Sequence, residues 1–265
     1  MDTAKYLKMI KNNPYVIERI ENPTEEMNLL AVQTNGLALQ YIPHPSKAVQ
    51  EAAIANTPRA IQFLETPEET LLLQAVQHGW NNLAYIKHPS EALIQAALQQ
   101  SGWAIKYIDH PSEALQLQAV QKNYDAVQYI KGPSPAVQRA AVEANYEALR
   151  YIPNPDYEAV CLAVKQTEKA VRLVATVTKE QFLHFIQLNI LVLKYVPKDI
   201  AIPKDELVGV LKNVLSQDDV DEAYVRNFIN CPMDALSPLE KVLLVDACGS
   251  KKAKRITVDE KLTIQ

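Results

Sequence analysis

The apolar positions of this chain repeat every 22 residues. Aromatic–aliphatic pairs recur at Tyr41-Ile42, Phe63-Leu64, Tyr85-Ile86, Tyr107-Ile108, Tyr129-Ile130 and Tyr151-Ile152. The spacing runs back to Arg19-Ile20 and on to Tyr195-Val196. Pro23, Pro45, Pro67, Pro89, Pro111, Pro133 and Pro155 keep the same interval and serve here as position 0. Positions 4, 8 and 9 are apolar, as in Leu115, Ala119 and Val120, which is a helical stripe. Position 8 is alanine from Ala31 through Ala163, position 15 is mostly alanine, and position 16 is always aliphatic.

The pattern predicts two short helices per unit. The first opens at Pro-Ser-Glu, as at Pro89–Glu91 and Pro111–Glu113. Its proline is expected in the first turn, where the missing N–H costs nothing, and its glutamate favours the positive helix end. The helix stops near position 12. There Asn13, Asn35, Asn123, Asn145 and Asn189, with Gly79 once, are expected to take a left-handed C-cap. A second helix of about two turns carries positions 15, 16 and 19 inward.

Two helices in 22 residues cannot bury an apolar face alone, so the units must stack. The expected fold is all-α: an α-solenoid of about nine repeats over residues 1–198. A small residue at position 8 explains the close stacking. The pattern decays where Val177 replaces the proline and Phe185 the alanine, as a capped end requires. Residues 199–249 read as a helical cap, with helices at Asp205–Ser216, Asp218–Ile229 and Ser237–Ala247, Asp218 and Ser237 being the expected N-caps. Residues 250–265 read as a tail, basic at Ser250–Arg255 and β-prone beyond, with a turn at Asp259-Glu260. A hairpin, an unfolded arm or a docking strand is expected there.

Composition agrees with this punctuation. Only 6 glycines occur against 16 prolines, which argues against a β-sandwich or a dinucleotide-binding sheet. The formal charge of −4 disfavours non-specific phosphate binding. Cys161, Cys231 and Cys248 have neither disulfide-framework nor zinc-site spacing. Neither a signal peptide nor a membrane-spanning apolar run is read, so a reduced, cytoplasmic setting is expected.

No phosphate loop, nucleophile elbow, HExxH or CxxC motif occurs, and no catalytic residue, metal or cofactor is expected. His44, His88 and His110 all precede the position-0 proline. Repeats ~9–10 Å apart are too widely spaced to share one metal, so these histidines read as turn residues. The position-18 aromatics, Tyr41 through Tyr195, read as packed side chains with the hydroxyl at the edge rather than as a base-stacking platform. More informative is the start of the second helix, where Trp80, Trp103, Tyr124 and Tyr146 occupy positions 13 and 14 of four successive units. Position 17 carries Lys106, Gln128 and Arg150 beside them. Together these seven residues form a candidate partner-binding ridge, since Trp, Tyr and Arg are the usual interface anchors. Asp109, Asp125 and Glu147 lie near it and are expected to be solvated.

The unit typified by Pro111–Ile152 resembles a class of short tandem helical repeats with an N-P-S-E-x-V-Q-x-A-A-V-x-x-N-x-x-A-x-x-Y-I core. These occur in proteins of unknown function from large bacteriophages and giant viruses. The resemblance covers residues 1–198 and implies an α-solenoid; it supplies no catalytic residues. It extends the expected function, a non-enzymatic protein–protein interaction scaffold, to a phage-encoded inhibitor or adaptor of a host defence protein. The alternatives are a DNA-glycosylase-like enzyme on a helical-repeat scaffold and a binder of nucleotide signals using Arg150 and Arg172.

Overall fold

A computed structural model describes residues 3–263, and every regular element among them is helical. The chain divides into two compact units, residues 1–132 and 133–265.

The first unit holds six repeats, each an α-helix followed by a 3-10 helix: α1 (Thr3–Asn12) and η1 (Pro14–Arg19), α2 (Glu25–Thr34) and η2 (Gly36–Tyr41), α3 (Lys47–Asn56) and η3 (Pro58–Phe63), α4 (Glu69–His78) and η4 (Trp80–Tyr85), α5 (Glu91–Gln100) and η5 (Gly102–Tyr107), α6 (Glu113–Lys122) and η6 (Tyr124–Tyr129). The second begins with three more: α7 (Pro135–Ala144) and η7 (Tyr146–Tyr151), α8 (Tyr157–Gln166) and η8 (Glu168–Leu173), α9 (Lys179–Leu188) and η9 (Ile190–Tyr195). Like elements stack on like: α2 on α3 and η2 on η3 in the first unit, α7 on α8 and η8 on η9 in the second. This is the α-solenoid plan that the 22-residue period predicts.

The buried positions are the ones the pattern marks. In the third repeat Val49, Ala53 and Ile54 of α3 are fully buried, as are Ala60 and Ile61 of η3. The second helix of each repeat is two turns long as expected, but those turns are 3-10. Six residues at three per turn close two turns. The C-cap amide donates to the carbonyl three back, as Ile42 N–H does to Leu39 O at 3.1 Å.

Two local expectations are corrected. The position-0 proline is not in the first helical turn. It precedes the N-cap, which is the serine after it: Ser46, Ser90, Ser112 and Ser134 each accept a hydrogen bond from the N–H three residues on. A side-chain oxygen satisfies an orphan donor there, which proline cannot do. Pro135 alone stands at a true N1 or N2 position among these helices. The position-12 asparagines are not left-handed C-caps either. Asn35 has φ −154° and Asn145 φ −164°, extended backbone, and each side chain caps the 3-10 helix that follows. The left-handed residue is the one before the proline: Asn22, His44, His88 and His110 have φ between 47° and 53°, and Gly132 has φ 59°. Asn and His are among the side chains that tolerate this region, which gives these histidines a backbone role.

The second unit closes with α10 (Lys204–Leu215), α11 (Glu222–Asn230), α12 (Pro238–Cys248) and α13 (Lys251–Thr263). The N-cap of α11 is Asp221, not Asp218; its side chain accepts from Tyr224 N–H at 2.8 Å. Ser237 caps α12 as expected and forms a reciprocal capping box with Glu240. Among the described residues the tail is neither hairpin, arm nor strand: 251–263 are α-helical, and the last two residues of the expected tail, 264 and 265, lie outside the described residues. Ser250 accepts from Ala253 N–H at 3.2 Å, and Ala253, Ile256 and Thr257 are buried at helical spacing where α13 packs on α11 and α12. Packing of that face overrides the β-propensity of Ile256, Thr257 and Val258.

Glu240 ties this cap together. Lys204 Nζ donates to its carboxylate at 2.7 Å and Ser237 N–H at 2.7 Å, which holds its pKa down at about 2. A carboxylate depressed on folding adds stability above its usual value of 4.5, and loses that contribution as pH falls toward 2. Glu240→Gln is expected to flatten the acid limb of the unfolding curve between those two pH values. Equal pH slopes in the variant and the wild type, followed by circular dichroism, would refute this role.

Candidate functional site

The candidate residues divide between the units. Trp80, Trp103, Tyr124, Lys106 and Gln128 lie in the first, Tyr146 and Arg150 in the second. In the first unit a Tyr15–Tyr41 pair lies apart, and the remaining ring contacts gather on four aromatics, Trp80, Trp103, Tyr107 and Tyr129. Trp80 meets Trp103 edge-on at 6.4 Å between centroids and Tyr107 at 6.1 Å. Lys106 Nζ sits over the faces of Tyr107, Trp80 and Tyr129 at 4.7, 5.3 and 5.8 Å. Three ring faces around one ammonium form a cation–π cage. Tyr107 and Tyr129 come from the position-18 row, so part of that row belongs to the site. Tyr85, Tyr129 and Tyr151 of the same row are exposed rather than packed.

Trp103 is 39% exposed, and its indole N–H donates to Asp125 Oδ1 at 2.8 Å. Asp125 therefore orients an indole. Gln128 Nε2 donates to the Asp125 carbonyl at 2.8 Å, closing its own helix turn. Gln40 and Gln62 do the same on Leu37 O and Arg59 O. These glutamines satisfy local backbone rather than presenting free amides. Tyr124 is half-buried at the start of η6.

The scaffold fixes this patch through amide side chains that bridge repeats. Gln100 Oε1 accepts the Trp80 N–H at 3.0 Å while its Nε2 donates to Val76 O at 2.7 Å. Asn123 Oδ1 accepts the Gly102 N–H at 2.8 Å, and Ser101 Oγ accepts the Trp103 N–H at 3.2 Å. These bonds take up first-turn N–H groups that a helix leaves unpaired. The backbone under both tryptophans is thereby pinned to the next repeat. From the sequence alone, positions 11 and 12 mark only a helix stop. The recurring amide at position 11, in Asn56, Gln100 and Gln166, is the signal that marks the bridge.

In the second unit Tyr146 N–H is held likewise by Gln166 Oε1 at 3.1 Å. Arg150 pairs with Glu147 at 3.3 Å, and Arg172 lies over Tyr195 at 5.8 Å. Both guanidiniums already have partners on the chain itself. The sequence reading missed one cluster: Tyr157 Oη lies 2.7 Å from His184 Nδ1, and Cys161 Sγ lies 3.9 Å from the same nitrogen. Burial pushes the Cys161 thiol up, and burial together with Cys161 pushes Tyr157 up to about 12. That burial works against thiolate formation at Cys161.

Comparison with protein-family models, curated proteins and solved structures yields no match. Among the described residues no helix is long and apolar enough to cross a membrane.

Proposed function

We propose that the chain is a non-enzymatic protein-binding scaffold and that the Trp80–Trp103–Lys106 patch of the first unit is its recognition surface. The observation that carries this reading is the half-exposed Trp103 indole, locked by Asp125 and backed by Trp80. A large aromatic fixed before binding loses little entropy on docking, which is what an interface anchor needs. Lys106 adds a positive charge already seated on aromatic faces, so the patch suits a partner with an apolar protrusion beside a carboxylate. The finer form of the reading, an inhibitor or adaptor acting on a host defence protein, rests on the repeat resemblance alone.

The nucleic-acid reading draws less support. The net charge is −4, and Asp125 is committed to an indole. The test pairs two measurements. Affinity capture with the wild type and with a Trp80→Ala/Trp103→Ala variant should retain a partner only on the wild type. Titration with duplex DNA at about 50 mM salt, where phosphate contacts are strongest, should show no binding. Saturable DNA binding that survives the double variant would overturn the proposal.

A further inference from the structure

The four most exposed large apolar side chains among the described residues are Leu239, Leu243, Val258 and Leu262, at 68, 56, 56 and 66%. Every other exposed large apolar residue is at 41% or below. All four lie on α12 and α13, in two stripes of i, i+4 spacing. On α12 the stripe lies opposite the buried Lys241 and Val245; on α13 it lies opposite the buried Ala253, Ile256 and Thr257. Only Gly249 and Ser250 separate the helices, and Lys261 near the end of α13 lines one cavity with Pro238 and Lys241 at the start of α12. The short link and the shared cavity bring the end of α13 back to the start of α12, so the pair is an antiparallel hairpin.

The charges beside the two stripes have opposite signs. Asp246 follows Leu243 by one turn on α12, while Lys254 and Arg255 precede Val258 by one turn on α13. None of the three belongs to an ion pair among the described residues. A two-fold axis parallel to the helices lays α12 of one copy on α13 of a second. That operation turns the apolar stripe of α12 toward the stripe of α13, and Asp246 toward the Lys254 and Arg255 end of α13, each contact made twice. A patch with an apolar ridge and an acid on one helix, matched by a ridge and bases on its neighbour, is self-complementary, as an isologous interface must be.

We propose that the α12–α13 hairpin is a homodimer interface and that its occupant is a second copy of this chain. The pairing is antiparallel, α12 on α13, and forms a four-helix bundle of two layers. It goes beyond the scaffold reading and involves none of the tryptophan patch, so Trp80→Ala/Trp103→Ala leaves it unchanged.

Sedimentation velocity on the full chain over a concentration series tests it. The wild type is expected to dimerise. Asp246→Lys alone, or Lys254→Glu with Arg255→Glu, should each weaken the dimer at least about tenfold by placing like charges together. Mixing the two variants should restore a dimer, because each then meets its opposite across both copies of the contact. All these positions are exposed, and circular dichroism confirms folding. A wild type that stays monomeric throughout overturns the proposal. So does a dimer indifferent to both variants, or a mixture that fails to recover. A monomeric wild type that binds phosphatidylserine vesicles through Lys254 and Arg255 would assign the face to an anionic membrane instead.

Discussion

Ala119→Leu is expected to lower the stability of the chain by about 3 kcal/mol, at the upper end of what overpacking a core costs. The reason is the repeat contact itself. Ala119 is fully buried on α6, and η5 of the preceding repeat lies directly on its backbone. A Cβ built on Gly102 would come within 2.1 Å of the Ala119 carbonyl oxygen, and one on Gly36 within 2.3 Å of Ala53 O. Three further heavy atoms on the fully buried Ala119 overpack the contact between repeats, and any shift of η5 away from α6 strains the Gly102–Asn123 bond beside Trp103. Gly209→Ala is the control. It lies within α10 with nothing within 4 Å of the new methyl, so removing a helix glycine should stabilise by about 1 kcal/mol. Urea unfolding of the two variants beside the wild type measures both. An Ala119→Leu protein within about 0.5 kcal/mol of wild type would show that the stack yields where the geometry says it is tight.

The same contact marks how far the sequence could be read. A period held in register over nine repeats reports the stacking directly, because each buried position must recur to meet the one before it. Ala53, Ala97 and Ala119 were legible for that reason. So, in principle, was the Trp103–Asp125 bond, which joins position 14 of successive repeats across 22 residues. Helix type was not legible. In a six-residue segment the apolar spacing of a 3-10 and an α-helix barely diverge, and only the i to i+3 hydrogen bonds separate them. Asparagine was ambiguous for a different reason. It suits both a left-handed C-cap and an extended N-cap, and here the next helix begins one residue on, so its side chain serves the helix ahead. Outside the repeat no neighbour constrains the pattern. Ile256–Val258 carries local β-propensity, and docking of α13 on α11 and α12, with Glu260 bonded to Arg226 and to Asn230, holds it in a helix.

Trp80→Ala with Trp103→Ala should weaken partner binding by at least about 2 kcal/mol, some thirtyfold, if the first-unit patch is the anchor of the interface. The two rings contribute differently. Trp103 presents area to the partner, whereas Trp80 is half-buried and supports both Trp103 and the Lys106 ammonium. Trp103→Ala alone should therefore carry most of the loss of affinity, as a faster dissociation. Asp125→Ala keeps the indole but releases its N–H, so it should cost less than Trp103→Ala and raise the mobility of the ring seen by indole fluorescence. Gln128→Ala removes only a side chain bonded to its own helix turn and should bind as the wild type does. Lys106→Met preserves length and ring contact while deleting the charge. A loss there that fades at high salt would place a carboxylate of the partner over the cage. Surface plasmon resonance with the captured partner, beside melting curves for each variant, separates recognition from folding. Equal affinity of the double variant and the wild type, with both folded, would move the binding surface elsewhere on the chain.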